Sequence, residues 1–349
     1  MKKIKIFGQS FILILLLPFT LSCQSHLENN EIFIATWNVE NLFDTEDDPF
    51  KNDSEFLPES KKQWTDDKLE TKLTNLMRVI NYMNDGCGPD ILALQEVENI
   101  NVVKRLLYKL NFRNYVLVYR ESPDNRGIDV TLIYDRDIFN IVFADTIKVN
   151  LPEKQKTRHI LYVVLNHKAK DKNLHIFVNH WPSRLGGQIK SEPNRIIAAK
   201  TLREKVDSLF LKDKNTNIII LGDFNDEPEN TSISDILNAK KVDCNEENIT
   251  SNELFNVAYK MYESGKGTYM YGSDWNMLDQ IIISSSLIDK KDLDYLCDSF
   301  EIIQPEYMVQ KGGNKIGAPI PTYSGNRYIG GFSDHFPVSA KFKFFEERK

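Results

Sequence analysis

The segment Ile218-Ile219-Ile220-Leu221-Gly222-Asp223-Phe224-Asn225-Asp226-Glu227-Pro228 decides how the chain is read. Four branched or apolar residues run into a glycine and then a polar turn, which is the pattern of a short buried strand that ends in a loop. Asp223 and Asn225 stand directly after that strand. The same arrangement recurs along the chain. Asn38 and Glu40 follow the run 32–36 in Thr-Trp-Asn-Val-Glu-Asn-Leu-Phe. Glu96 follows 91–94 in Leu-Gln-Glu-Val-Glu, and His180 follows 176–178 in Val-Asn-His-Trp-Pro-Ser-Arg. Asp279 opens Leu-Asp-Gln-Ile-Ile-Ile, and Asp334-His335 precede the last strand in Phe-Ser-Asp-His-Phe-Pro-Val. One polar residue at a strand end is ordinarily a turn former. A series of carboxylates, amides and imidazoles at successive strand ends is better explained by a cleft, because strand ends gather along one edge of a sheet.

Working outward, further strand-like runs lie at 115–119, 130–134, 141–149, 160–166 and 338–344. Helical spacing appears over 68–84, through Leu69, Leu73, Leu76, Met77 and Ile80. It appears again over 193–210, through Ile196, Ile197, Leu202, Val206 and Leu209. Strands between 115 and 178 follow one another without helices, which predicts antiparallel pairing, whereas helix-separated strands predict parallel or mixed pairing. From Glu31 onward there is no repeat and no long linker, so one α/β domain over 31–345, with mixed sheets and outer helices, is the economical architecture. The stretches 45–67 (polar, acid-rich) and 311–331 (rich in Gly, Pro and Ser) read as surface loops, and loops of that length usually serve a function or move.

The 349-residue chain is 41% hydrophobic and 27% charged, an ordinary globular composition, with a formal net charge of -6. Residues 1–22 carry Lys2, Lys3 and Lys5 and no acid; without them 41 basic side chains face 50 acidic ones, or -9. General electrostatics would repel a polyanion, which excludes a bulk nucleic-acid coater but not an enzyme that meets a phosphodiester through a metal and a few arginines. The basic start, the apolar run 11–17 and the small or polar residues before Cys23 have the layout of a signal peptide. Leu21-Ser22-Cys23 resembles a lipoprotein cleavage box, which would lipidate Cys23 and anchor an exported monomer in the cell envelope; Thr20 departs from the usual leucine. Cys87, Cys244 and Cys297 allow one disulfide at most among themselves, and read best as isolated core or loop residues.

For chemistry, Glu96, Glu40 and Asp334 are hard oxygen ligands, suited to magnesium, manganese or calcium rather than zinc. A histidine–carboxylate pair can orient a base, and asparagines and arginines can stabilise charge on phosphoryl oxygens. No serine elbow, HExxH zinc motif or phosphate-cradling glycine loop competes.

These blocks, in this order over nearly the whole of 31–344, resemble the endonuclease/exonuclease/phosphatase superfamily, whose best-known member is deoxyribonuclease I. The resemblance implies a four-layer α/β sandwich: two packed mixed β-sheets with outer helices. It implies Glu96 as the principal metal ligand, with Asn38, Glu40 and Asp334 on or near the metal, Mg2+ or Mn2+ in the first place and Ca2+ in the second. It pairs His335 with Asp279, as a base or as a holder of the phosphate, and gives Asp223 and Asn225 the water and the transition-state oxygens. His180 takes the position of a leaving-group acid, with Asp129 as its carboxylate partner, and Arg126 and Arg184 are candidate phosphate contacts. Asn-His-Trp-Pro-Ser-Arg and Trp-Asn-Met-Leu-Asp-Gln resemble predicted bacterial extracellular nucleases. Trp181 and Trp275 would then either stack on a base or support the loops. The function implied is a secreted or envelope-anchored nuclease cleaving DNA or RNA. Alternatives within the superfamily are a phosphomonoesterase or a phospholipid phosphodiesterase, against which stand Met277-Leu278-Asp279-Gln280, where phosphatases of this group carry Trp-Cys-Asp-Arg, and the polar character of 311–331. An inactive binding lipoprotein is a further alternative from another class.

Overall fold

The computed structural model describes residues 30–245 and 249–345. The segment 1–22 and Cys23 lie outside these residues. Among the described residues, no helix is long and apolar enough to cross a membrane.

Two seven-stranded sheets form the body. The first contains β1 (Glu31–Leu42), β2 (Ile91–Val97), β3 (Tyr115–Tyr119) and β4 (Asp129–Asp135). The second contains β5 (Phe139–Ile147), β6 (Ile160–His167), β7 (Lys172–His180), β8 (Ile218–Asp223), β9 (Ala239–Lys241) and β10 (Leu254–Asn256). A small hairpin, β11 (Tyr269–Tyr271) with β12 (Asp274–Asn276), precedes β13 (Asp279–Ser284), which returns to the second sheet. The short β14 (Leu293–Tyr295) and β15 (Glu301–Ile302), then β18 (Val338–Phe344), complete the first sheet; β16 (Tyr323–Ser324) and β17 (Arg327–Tyr328) form a second hairpin between them. The spatial orders are β14-β18-β1-β2-β4-β3, with β15 also on β18, and β5-β6-β7-β8-β13-β10-β9. The pairs β1–β2, β7–β8 and β9–β10 are parallel and their neighbours antiparallel, so both sheets are mixed. The run 115–178 is antiparallel as expected, but it divides: β3 and β4 belong to one sheet, β5 to β7 to the other.

The period of two explains why these strands read as unbroken apolar runs. In β1, Ile32 and Ile34 face the space between the sheets, while Phe33, Ala35 and Trp37 face the outside. There they meet α1 (Asp66–Tyr82) and α2 (Ile100–Lys109), through Leu69, Leu73, Leu76, Val102 and Leu106. In β8, Ile219 and Leu221 point inward; Ile218 and Ile220 point outward to Ala198, Leu202 and Val206 of α3 (Gln188–Phe210). The order is helices, sheet, sheet, helix, which is the four-layer sandwich expected. The predicted helix 68–84 is α1. The predicted 193–210 begins five residues earlier, with Pro193 inside α3. Sequence periodicity did not single out α2, a short helix capped by Asn99, whose side chain accepts from the backbone of Asn101 and Val102.

The reading of the cysteines needs correction. Cys244 and Cys297 are joined in a disulfide across 53 residues, and no described cysteine is free. Spacing along the chain carries no information about such a pair, because β10, the β11–β12 hairpin and β13 lie between its ends.

Candidate active site

The pleat that builds the core also aims the candidate residues. His180 has the parity of Ile176 and Val178, Asp223 that of Ile219 and Leu221, and Asp279 that of Ile281 and Ile283, all of them core residues between the sheets. His180, Asp223 and Asp279 are direct register neighbours across β7, β8 and β13, so they form one row at one end of the second sheet. Gly222 makes the row possible. Its φ is +133°, and a Cβ there would lie 2.0 Å from the carbonyl oxygen of Asn179 on β7. Asn38 has the inward parity of Ile32 and Ile34 and faces this row from β1.

Glu96 breaks the parity rule, and the backbone shows how. Register shifts between Gln95 and Val97 on one side of β2, and between Asn38 and Leu42 on β1. Glu40, Asn41, Glu96 and Asn225 all have positive φ, between 52° and 64°. Bulges and left-handed residues of this kind re-aim side chains and concentrate at functional sites.

The row and its counterpart meet across the sheets. Asn38 Nδ2 donates to Asp223 Oδ2 at 2.9 Å and, at 3.4 Å, to Glu96 Oε1. His180 Nε2 lies 3.6 Å from Asp223 Oδ2 and 3.8 Å from Glu96 Oε1. The Glu96 carboxylate also accepts from Asn41 N at 2.9 Å. On the other flank His335 Nδ1 and Asp279 Oδ2 are 2.7 Å apart, both buried, and Thr268 Oγ1 donates to the same Asp279 oxygen at 2.6 Å. The ligand atoms of Asp223, Asp279 and His335 lie within 4.8 Å of one another. His335 is further fixed through its backbone: its carbonyl accepts from Trp37 Nε1 at 2.9 Å and its N–H donates to Ser333 Oγ at 3.1 Å. The Tyr269 ring packs against it with centroids 4.8 Å apart.

These contacts set the charge states. Burial alone would depress His335, but the carboxylates of Asp279, Asp223 and Asp334 overcome it and raise His335 well above its ordinary value. His180 has burial and the cations Arg158, Arg126 and His335 against it, and is held well below its ordinary value, as a neutral imidazole. Burial raises Asp223, with Asp279 adding to the effect and His335 and Asn38 opposing it. Burial and the nearby Glu40 and Glu96 raise Asp334. An oxygen-rich set of carboxylates that repel one another, with one Asp279 oxygen buried and unpartnered, fits a hard divalent cation. Glu96, Asn38, Asp334 and the Asp223 side of the row are the residues that would hold it.

Several sequence expectations need adjustment. Asp129 is not the partner of His180. Its carboxylate accepts from Tyr119 Oη at 2.5 Å and from Ser122 N at 2.9 Å, and it braces the turn after β3. Among the described residues, His180 Nδ1 has no hydrogen-bond partner. Arg184 directs its guanidinium to Asn225 O, Asn276 Oδ1 and Asn230 Oδ1 at 2.8 to 3.1 Å, so it stitches loops together rather than presenting free donors. Arg126 is exposed, and its charge reaches His180. Glu40 is turned toward the loop 311–331, where it accepts from Thr322 N at 2.6 Å and lies 3.8 Å from Lys72 Nζ. Trp181 is buried against Phe224 and supports the loop; Trp275 is half-buried against Phe336.

Sequence reasoning missed Lys72, Thr268, Ser333 and Arg158. Lys72 is buried in α1 and donates to Glu40 O, Thr322 Oγ1 and Phe332 O, at 3.2, 2.5 and 2.7 Å. A lysine between Leu69 and Leu73 on an apolar stripe was its only signal. Arg158 is buried beneath His180 and Trp181, whose carbonyls it binds, and it pairs with Asp124 at 3.1 Å. Nothing in the sequence marks Arg158, Thr268 or Ser333.

Fold and site together are those of an α/β domain of two packed sheets with a buried cluster of carboxylates and imidazoles at the strand ends. The model of the endonuclease/exonuclease/phosphatase family matches residues 33–343, and the chain belongs to that family. It is thereby a hydrolase of a superfamily whose enzymes are typically divalent-metal dependent. Among solved structures it is similar to the human Nocturnin catalytic domain with bound sulfate, at 19% identity and TM-score 0.54, covering 91% of this chain and 96% of that one. It is also similar to a mannosyl-6-phosphatase of Bacteroides thetaiotaomicron, at 16% identity, 89% and 99% coverage and TM-score 0.55. A third is D. rerio TDP2 complexed with a single-strand DNA product, at 13% identity, 89% and 98% coverage and TM-score 0.53. At these identities the likenesses establish the fold. A comparison with curated proteins returns no match.

Proposed function

We propose that residues 31–345 form one catalytic unit that hydrolyses phosphodiesters, with nucleic acid as substrate and Mg2+ or Mn2+ as the metal. The observation that carries this reading is the buried His335–Asp279 pair, 2.7 Å across, set within 4.8 Å of Asp223, whose carboxylate accepts from the same Asn38 amide that donates to Glu96. A bound metal would supply Lewis acidity at the phosphoryl oxygens. With its charge held by Asp279, His335 binds a non-bridging oxygen as a cation. Asp223, oriented by Asn38 and raised by burial, takes the proton of the attacking water. The new bond joins the water oxygen to phosphorus, and the P–O bond to the departing alcohol breaks. The departing oxygen takes up a proton from solvent and leaves as an alcohol, Asp223 returns the water's proton to solvent, and the N–H of the neutral His180 is assigned to hydrogen-bond the departing oxygen.

A diester is favoured over a monoester by the uncharged Gln280 that follows Asp279, where phosphatases of this group carry arginine. Gln280 is buried, donates to Asp226 O at 2.6 Å and Met277 O at 2.9 Å, and accepts from Asn256, so it offers no positive charge for a dianion. The single-strand DNA product in the TDP2 structure supports nucleic acid as the substrate class. Export to the cell envelope, with Cys23 as lipid anchor, is supported by the layout of residues 1–22 and by the Cys244–Cys297 disulfide, since such bonds persist in oxidising compartments. Plasmid DNA, single-stranded DNA, RNA, a sugar phosphate and sphingomyelin, each offered with Mg2+ or Mn2+, test the substrate. Cleavage confined to nucleic acid is expected; turnover of only the sugar phosphate or the lipid would overturn the substrate reading.

A further inference from the structure

The hairpin β11–β12 stands at the lip of the cleft, and its two faces differ. Register pairs Tyr269 with Asn276, Met270 with Trp275 and Tyr271 with Asp274. Alternation along the strands therefore sends Met270 and Trp275 to one side and Tyr269, Asn276, Tyr271 and Asp274 to the other. The first side is packed: Met270 is buried, and Trp275 stacks on Phe336 with ring centroids 6.1 Å apart. The second side faces the candidate active site. The backbone of Tyr269 bridges to His335, and its ring lies against the imidazole with centroids 4.8 Å apart and planes inclined by 31°. Asn276, opposite Tyr269, accepts from Arg184 at 2.8 Å, and Arg184 also donates to the carbonyl of Asn225. The charges that bear on the Tyr269 hydroxyl belong to Asp334, Asp223, Tyr271 and Glu96, so this ring stands between the cleft carboxylates and Tyr271.

Tyr271 is the outer step of this row. It is 74% exposed, and among the described residues no ring or cation packs on it. Exposure alone says little, since single apolar side chains are common on protein surfaces. Its place says more. His335, Tyr269 and Tyr271 follow one another from the buried Asp279 pair out to solvent, on the one face of the hairpin that the protein leaves uncovered. The charge beside Tyr271 separates two kinds of occupant. Asp274 faces it across the hairpin and is exposed, and among the described residues no ion pair reaches it. A free carboxylate there repels a phosphate, but it does not oppose the flat, uncharged face of a base.

We propose that Tyr271, backed by Tyr269, is a stacking platform for an unpaired nucleobase next to the phosphate held at His335, and that it makes single-stranded nucleic acid the preferred substrate. This inference rests on the nucleic-acid reading given above. Every base offers a π-face to an aromatic side chain, so the platform tolerates any sequence. In a duplex both faces of a base are already stacked on its neighbours, and a paired base must be unstacked before Tyr271 can take it. Trp275, the aromatic residue of this hairpin that the sequence singles out, has the opposite parity and serves the packed side.

The test compares kcat/KM, with Mg2+ or Mn2+, on a single-stranded DNA oligonucleotide, on its duplex, and on an abasic chain of the same length. The native protein should prefer the base-bearing single strand to both others. Tyr271→Ala, which removes an exposed side chain and leaves the core intact, should lower kcat/KM on that strand by about five- to a hundredfold, the effect of one lost stacked base. The loss should fall mainly on KM, because the contact is remote from the reacting phosphorus. The preference over the abasic chain should collapse with it, and Tyr271→Trp should restore both. A Tyr271→Ala protein within twofold of native on the single strand would overturn the platform and leave the nuclease reading intact. So would native cleavage of the abasic chain or the duplex as fast as the single strand. Turnover of bis-p-nitrophenyl phosphate without cleavage of any oligonucleotide would overturn both.

Discussion

Replacing Asp279 by Asn preserves the size of the side chain and its bond from Thr268, but removes the negative charge that faces His335. In the native protein the two groups are 2.7 Å apart and buried, and the carboxylate overcomes the burial that would otherwise discharge the imidazole. A hydrogen bond to a charged partner contributes roughly 1.5–3 kcal/mol, and about 1.4 kcal/mol corresponds to a factor of ten. Loss of this bond, with the cationic form of His335 that depends on it, should therefore lower kcat by about 10- to 100-fold. KM should change by only a few-fold, because the charge matters most where negative charge builds up on phosphorus. The pH profile supplies a second readout. Without Asp279, His335 loses its main support and titrates lower, so the activity remaining in the variant should decline as pH rises through about 6.5, where ordinary histidines lose their charge. The native enzyme should keep its activity to distinctly higher pH. Initial rates on bis-p-nitrophenyl phosphate between pH 5.5 and 9 measure both effects. A variant within threefold of the native kcat, with an unshifted profile, would refute the assignment of this pair.

Asp129→Asn should leave activity within a few-fold of native, because Asp129 holds Tyr119 and Ser122 rather than His180; a loss of a hundredfold in the same assay would restore it to the catalytic group. Burial pushes the Asp129 carboxyl up to about 6. An acid raised in this way favours the fold below its unfolded value near 4 and opposes it above 6. The Tm of the Asn variant should thus gain on that of the native protein as pH rises from 4 to 6, by an amount equivalent to about 2–3 kcal/mol at most; a gap that does not change with pH would contradict this. Lys72→Met should destabilise the protein by about 3 kcal/mol, the cost of stranding one partner of a buried pair, and should hasten proteolysis within 311–331, which Lys72 ties to Glu40; unchanged cleavage would count against that role. Removing the Cys244–Cys297 bond by a double serine substitution should cost about 4 kcal/mol, from the closure entropy of a loop of 53 residues, measured by denaturant unfolding.

What the sequence makes legible follows from local physics. Runs such as 218–221 and 91–94 are apolar on both faces because each strand lies between a helix layer and a second sheet, so strand assignment and the four-layer architecture can be read from them. The register row His180, Asp223 and Asp279 is foreseeable for the same reason: residues at strand ends, with the parity of the core, point into the cleft. Glu96 is foreseeable only as a residue type at a strand end, since its aim depends on a bulge and a positive φ that no pattern encodes. The relations that failed or were missed are contacts between distant segments. Asp129 against Tyr119, Lys72 against Thr322, Arg158 under His180 and Thr268 on Asp279 each join segments whose approach is set by tertiary packing. The disulfide belongs with them. Hairpins and strands of two or three residues, such as β11 or β15, offer too few positions for a period to show.

Metal-dependent hydrolysis of a diester at this site is the central prediction from the fold and the cleft. The most direct measurement is the rate on bis-p-nitrophenyl phosphate against p-nitrophenyl phosphate, with Mg2+ or Mn2+ and again with chelator, for the native protein and Glu96→Gln. Diester hydrolysis that chelator abolishes and Glu96→Gln removes, with the monoester untouched, is the predicted result. Preferential cleavage of the monoester, or diester hydrolysis indifferent to both chelator and Glu96, would contradict it.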